Sequence, residues 1–333
     1  ITLEITEGGC AMIRVTDNGT GIAPQEVRKA FLRHATSKIS SEKDLEAIES
    51  LGFRGEALSS IGAVSRCEII TRMTGNLTGT RLVLSGGEEE CFEEVGAPEG
   101  TTMIVRDLFY NTPARKKFLR SPLTEGAHIG ELVQKLALCN ETIAFCFISN
   151  RQTRFQTGGQ GRVRDMIYQL YGKDAARGAI SFSASCPFCT MEGYLGAPEV
   201  TRNTRSLENI FINRRYIKDS LLSKAVEEGY GDRLMQHQFL FFILHLAMDP
   251  QIVDVNVHPR KMEVRFSHKE EIFEAVKGAV EKALAKESAV RRVSLEEGKK
   301  SSPSLPPVPE VFEIRRRKEQ ESVLREEGSP GAF

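Results

Sequence analysis

The chain has 333 residues, of which 40% are hydrophobic and 27% charged, and its formal net charge is zero. That length leaves room for two domains, and the composition is that of a packed globular protein. Zero net charge excludes a global positive field, so any nucleic-acid contact must come from a local basic face.

No apolar run reaches membrane-spanning length; the longest, Phe239 to Met248, is interrupted by His245. No segment reads as a signal peptide. The seven cysteines (Cys10, Cys67, Cys91, Cys139, Cys146, Cys186, Cys189) are odd in number and scattered. They read as reduced thiols, and a cytoplasmic setting is expected.

Residues 1–18 predict a hairpin: Ile1, Leu3 and Ile5 alternate, Glu-Gly-Gly follows, and Ile13 and Val15 alternate again. The chain opens on Ile1 inside that strand with no initiator Met, as expected of a fragment whose true N-terminus is missing. Residues 24–35 predict a helix with Pro24 at its first position and Val27, Ala30 and Phe31 at helical spacing. Residues 36–50 read as a polar loop. Strands are expected at 67–72, 80–85 and 101–107, and a helix from about 125 to 138 carrying Ile129, Leu132, Val133 and Leu136 on one face.

The shift to "NRQTRFQTGGQGR" near 150–162 predicts a domain boundary. A second α/β segment follows. Its expected elements are a helix at 163–171, strands near 179–184, 190–196 and 208–213, a helix at 219–228, strands at 239–248 and 262–266, and a helix at 269–286. The Pro-rich, charged text from 289 onward predicts a linker or disordered tail. The expected organisation is therefore 1–155, 160–288 and a linker 289–333.

Several short motifs stand out, each with an ordinary alternative. "TDNGTGI" (16–22) ends the second strand with Asp17, Gly19 and Gly21. Alone it reads as a turn; functionally, the glycines let backbone approach a ligand while the Asp accepts a hydrogen bond from it. "GFRGEAL" (52–58) places Gly52, Arg54 and Gly55 before a helix, where unpaired N–H groups and the dipole favour a phosphate. It does not match a P-loop, and an ordinary helix entry remains open. "HATSKI" offers Thr36, Ser37 and Lys38 to phosphate oxygens, or an N-cap. "EGTTMIVRDLFYNTPARKKF" begins with Thr101 entering a strand and ends in Arg115, Lys116 and Lys117, either a phosphate-backbone contact or a solvated face. "DVNVHPRKMEVRF" carries Lys261 after a His-Pro turn. "CPFC" (186–189) has metal-ligand spacing but no second pair near it in sequence, so no metal site is expected.

In this order the blocks resemble one family, the MutL-type DNA mismatch repair proteins, of the ATPase superfamily that also holds gyrase B, heat-shock chaperones and histidine kinases. The resemblance covers about residues 1–288, and "GFRGEAL" with "FYNTPAR" and "DVNVHP" is its most specific part. It implies an α/β (α+β) fold: a two-layer ATPase sandwich on a mixed sheet, then a second α/β domain similar to the gyrase B transducer.

It also implies roles. Asp17 would read the adenine amino group, with Gly19 and Gly21 giving the nucleotide room and Thr101 supporting the contact. Thr36, Ser37, Lys38, Gly52, Arg54 and Gly55 would belong to a lid on the triphosphate of ATP, and Lys261 would reach the γ-phosphate. Lys117, Lys135 and Arg215 match positions lining a basic DNA groove. Arg214 stands where the family has Gly, in a turn that favours positive φ.

Family members carry an earlier helix with a general-base Glu and an Asn that holds Mg²⁺. Neither is recognised in this chain, so weak or absent turnover is expected of the fragment. The implied partners are DNA without sequence specificity, a mismatch-recognition protein of the MutS type, and a second subunit, a copy or a paralogue. Another ATPase of the superfamily, such as a topoisomerase subunit, and a non-catalytic DNA-binding remnant remain the alternatives.

Overall fold

The computed structural model describes residues 1–33, 55–198, 200–234, 238–254 and 264–298. Residues Ile1–Leu284 form one compact unit and Ala285–Phe333 a second.

The first unit holds two large sheets. The first sheet is built from β1 (Thr2–Thr6), β2 (Met12–Asp17), β3 (Arg66–Arg72), β4 (Gly79–Ser85), β5 (Glu88–Val95), β6 (Gly100–Arg106), β7 (Cys146–Ser149) and β8 (Gln152–Gln156). Their spatial order is β5-β4-β3-β6-β2-β1-β7-β8. Every pair is antiparallel except β1 with β7, so the sheet is mixed, as expected.

The predicted hairpin is β1–β2, with Ile5 opposite Ile13 and Leu3 opposite Val15. Its Glu-Gly-Gly turn is left-handed at Glu7, Gly8 and Gly9. A Cβ on Gly8 would lie 2.2 Å from the Pro122 carbonyl oxygen, so the turn accepts only glycine there.

Helices α1 (Pro24–Val27), α2 (Ala57–Ala63) and α4 (Pro122–Cys139) cover one face; α3 (Pro113–Lys116) is a single turn. Ile13 packs into both clusters on that face, Val27–Cys67–Ile69–Leu82–Leu84–Val105 and Ile5–Val133–Ala137–Phe147. The opposite face of β3–β6 carries cross-strand ion pairs: Arg81 bridges Glu68 (2.8 Å) and Glu93 (2.7 Å), and Arg106 also reaches Glu68 (2.9 Å). One buried and one solvated face produce the alternation seen in β3.

Two elements differ from expectation. The helix predicted over 24–35 is four residues of α1 and a 3₁₀ turn, Lys29–Phe31, after which Leu32 is extended and exposed. Arg28 is drawn to Glu89 (2.6 Å) and over the Phe92 ring, and residues 34 and 35 lie outside the described residues. Strand β5 escapes prediction because its text is "EEECFEEV"; charge is how an edge strand avoids further pairing.

The second sheet has the order β13-β12-β15-β10-β9. Its strands are β9 (Ile180–Ser185), β10 (Cys189–Leu195), β12 (Glu208–Ile212), β13 (Arg215–Ile217) and β15 (Phe242–Met248). Among the described residues two short pairs complete the strands: β11 (Thr201–Arg202) with β14 (Phe239–Leu240), and β16 (Val253–Asp254) with β17 (Arg265–Phe266). Helices are α5 (Val163–Tyr171), α6 (Lys173–Arg177), α7 (Ser220–Tyr230) and α8 (Lys269–Gly298). The run predicted as one strand over 239–248 is broken at Phe241, whose N–H turns to Val200 and whose carbonyl accepts from Gly196.

Strand β15 is apolar on both sides for a physical reason. Phe242, Leu244, Leu246 and Met248 face a core with Leu222, Val226, Ile272 and Val280. Ile243, with Phe241 and Phe211, faces Ile5, Phe147 and Phe155 of the first sheet. A central strand covered twice reads as a continuous hydrophobic run. The two sheets thus share one core.

Candidate nucleotide site

The register of β2, β6 and β3 sets three rows across the helix-covered face. Ile13, Val105 and Cys67 form the first, Val15, Met103 and Ile69 the second, and Asp17, Thr101 and Thr71 the third. Period-two geometry requires all nine side chains to share one face. Two rows are apolar and build core; the third, at the strand ends, is polar.

That third row is tightly connected. Thr71, almost fully buried, accepts a hydrogen bond from the Ile22 N–H (2.9 Å). Its Oγ1 also lies 3.0 Å from Thr101 Oγ1 and 3.1 Å from the Gly100 carbonyl oxygen. Asp17 Oδ1 accepts from the Gly19 N–H (2.9 Å), an Asx-type turn that ends the strand. Among the described residues its other carboxylate oxygen takes no hydrogen bond.

Backbone crowds this row from both sides. A Cβ on Gly21 (φ +74) would lie 2.1 Å from the Arg72 carbonyl oxygen, and one on Gly100 (φ +106) would lie 2.2 Å from that of Asp17. The glycines therefore let loop 18–22 pass against the end of β3, where Thr74 N–H bonds the Thr20 carbonyl. The result is a half-buried carboxylate with an open acceptor, at the ends of interior strands of the sheet. Such a group reads a ligand that donates.

The structure brings together Asp17, Gly19, Gly21 and Thr101, and adds Thr71 and Gly100. Gly55 (φ +61) lies two residues ahead of α2, which packs on the sheet through Gly62 against Phe31 and Leu84. Thr36, Ser37, Lys38, Gly52, Arg54 and Lys261 lie outside the described residues.

The three basic positions expected to line a DNA groove do not share one environment. Lys117 is exposed beside Arg115 and Lys116 at the end of α3. Lys135 corrects the expectation: its side chain is only 5% exposed. It donates to the Tyr216 hydroxyl (2.7 Å), lies 3.4 Å from Glu131, and burial pulls its ammonium below the usual lysine range. In this arrangement it pins α4 to β13. Arg215 is half-buried on β13, and desolvation lowers its guanidinium too. Arg214 does adopt the left-handed conformation (φ 63) that the family's glycine predicts, and its carbonyl accepts from the Cys139 thiol.

Thr71 was not singled out by sequence, although it ends the β3 alternation as Asp17 ends that of β2. The usable signal was the pairing of "IIT" with "GTT" across adjacent strands, which only the register reveals.

Comparison with solved structures defines the class. The fold matches that of a structure described as the N-terminal domain of a DNA repair protein, with a TM-score of 0.72 and 24% identity over 87% of this chain and 90% of that one. It also matches the Aquifex aeolicus MutL ATPase domain complexed with ADP, with a TM-score of 0.56 and 24% identity over 83% of this chain and 88% of that one. The fold is therefore that of the MutL-type ATPase domains.

Relatives by sequence carry the assignment further. The MutL of Agathobacter rectalis is 47% identical over 324 residues, 95% of this chain and 49% of that protein, and residues 167–285 match the family described as "DNA mismatch repair protein, C-terminal domain". The chain belongs to the MutL family of DNA mismatch repair proteins. It spans about half the length of the curated relatives it matches.

Proposed function

We propose that this chain is the nucleotide-binding half of an ATP-gated DNA clamp that links mismatch recognition to strand removal. The observation that carries the reading is the polar row Asp17–Thr101–Thr71 at the strand ends of a MutL-type sheet. The open carboxylate oxygen of Asp17 suits the adenine amino group, which donates, and opposes the guanine carbonyl at the same place. Gly21 and Gly100 let the backbone beside it pass at close quarters. Within the family pattern, ATP binding with Mg²⁺ closes the lid of Thr36, Ser37, Lys38 and the 52–58 segment, and Lys261 senses the γ-phosphate.

Residues 1–155 are read as the ATPase domain, 160–288 as the transducer-like domain and 289–333 as the linker. The implied partners are DNA, a MutS-type protein and a second MutL-type subunit. Among the described residues, no helix is long and apolar enough to cross a membrane.

The test is equilibrium binding of ATP and GTP to the chain and to the full-length protein, with Asp17→Ala in each. Adenine selectivity is expected to be tenfold or more, and Asp17→Ala is expected to abolish ATP binding while low-salt DNA binding persists. Equal loss of ATP and DNA binding in Asp17→Ala would remove the base-reading role.

A further inference from the structure

The motif "CPFC" is unused by the nucleotide site. It forms the tip of the β9–β10 hairpin. Ser185 pairs with Thr190, and the Cys186 N–H bonds the Cys189 carbonyl oxygen (2.9 Å), so Pro187 and Phe188 make a two-residue turn. The turn sets the two cysteines directly opposite one another, and their sulfurs lie 3.3 Å apart. Directly paired positions of a hydrogen-bonded hairpin end have Cα atoms about 5.5 Å apart, inside the range a disulfide spans.

The two thiols differ in access. Cys186 is half-buried; Cys189 is 5% exposed in the core of the second sheet. Burial and the neighbouring sulfur push the Cys189 thiol up to about 12. Among the described residues, no group of three or more His, Cys, Asp or Glu comes together as a metal site. The chemistry the geometry offers is therefore that of two adjacent sulfurs.

We propose that Cys186 and Cys189 are a redox-active dithiol that closes to a disulfide by exchange with low-molecular-weight disulfides. The Cys186 thiol loses its proton and its thiolate attacks one sulfur of the small disulfide. That S–S bond breaks, one small thiolate leaves, and a mixed disulfide forms on Cys186. The Cys189 thiol then loses its proton, and its thiolate attacks Cys186 Sγ and expels the second small thiolate. The protein loses two electrons and two protons, and the small disulfide becomes two thiols. Accessibility gives the order: the half-buried sulfur meets the reagent, the buried one resolves the adduct.

A route leads from this turn to the start of α8. The Phe188 ring stacks on His268 (centroids 4.2 Å, 17°). His268 immediately precedes α8, and its carbonyl accepts from the Ile272 N–H. Cys186 and Phe188 pack against the same core as Phe266 and Ile272. Closing the sulfurs tightens the turn that holds Phe188, and the stack passes the shift to 265–272.

The full chain is equilibrated with reduced or oxidised glutathione, alkylated, digested and mapped by mass spectrometry. The expected result is a peptide with an intact Cys186–Cys189 disulfide in the oxidised sample and two alkylated thiols in the reduced one. Cys189→Ala is expected to trap glutathione on Cys186, and Cys186→Ser to show no adduct on Cys189. Hydrogen exchange over 265–272 is expected to change on oxidation of the wild type and not of Cys186→Ser. Because Cys189→Ala sits in the core, circular dichroism accompanies it; if it fails to fold, the wild-type map decides alone. Both cysteines fully alkylated in oxidised glutathione, or linked only to other cysteines, would overturn the proposal. A closed disulfide with unchanged exchange at 265–272 would overturn the route through Phe188.

Discussion

At the residue scale, the row Asp17–Thr101–Thr71 makes a specific claim about Thr71. Its hydroxyl is a buried hub for the Ile22 N–H, Thr101 and the Gly100 carbonyl. Thr71→Val keeps the shape and strands the Ile22 donor. A buried group left unpaired costs about 1–3 kcal/mol. Urea denaturation is expected to show that loss, with weaker ATP binding because loop 18–22 loses one of its ties to the end of β3; unchanged stability would refute the hub.

His245 offers a second test at this scale. It stacks on Phe211 (4.7 Å), and burial lowers its imidazole below the ordinary histidine range, opposed by Glu192. Below about pH 6.5 the unfolded chain takes up a proton that the folded chain resists. The stabilisation is therefore complete above that pH and falls as acid is added toward the folded value. The thermal midpoint is expected to drop on acidification from pH 7 to 5, less in His245→Gln. Glu208, raised chiefly by burial, acts in the opposite direction, so the difference between the two proteins isolates His245.

At the element scale, the question is which basic positions can meet DNA. Lys117 ends an exposed turn, whereas Lys135 is enclosed between α4 and β13. Lys117→Ala is expected to lower the slope of log affinity against log salt by about 1 if it contacts a phosphate. Lys135→Met is expected to leave that slope unchanged; an equal decrease would mean that α4 and β13 part when DNA binds.

This pair also shows where the sequence stops informing. A lysine's text is the same whether its ammonium faces water or a tyrosine, and the Tyr216 that decides the matter is 81 residues away. The β1–β2 hairpin, α5 and α7 were legible because each follows one local period. The acidic β5 was not, since its pairing with β4 overrides a composition that disfavours strands. Asp17 was legible as the end of an alternating strand, and Thr71 was not, because its meaning lies in cross-strand register.

At the scale of the whole first unit, the shared core decides how the molecule unfolds. Phe241 is fully buried at the break before β15, its ring 5.0 Å from Tyr171, and it belongs to the cluster that joins Ile5, Phe147 and Phe155 to Phe211 and Ile243. Two sheets that bury the same side chains cannot lose them separately. Phe241→Ala removes a large ring from a tightly packed site, where a Cβ on Gly196 would lie 3.3 Å from the Phe241 ring carbon Cδ1. Large-to-small changes of this kind cost about 3–5 kcal/mol. The loss is expected in both sheets together. Hydrogen exchange at Ile5 and Ile13 of the first sheet is expected to accelerate in parallel with that at Ile210 and Leu244 of the second. If only the second sheet were loosened, the two would be independent folding units, and the Asp17 row would have no packed route to the second sheet.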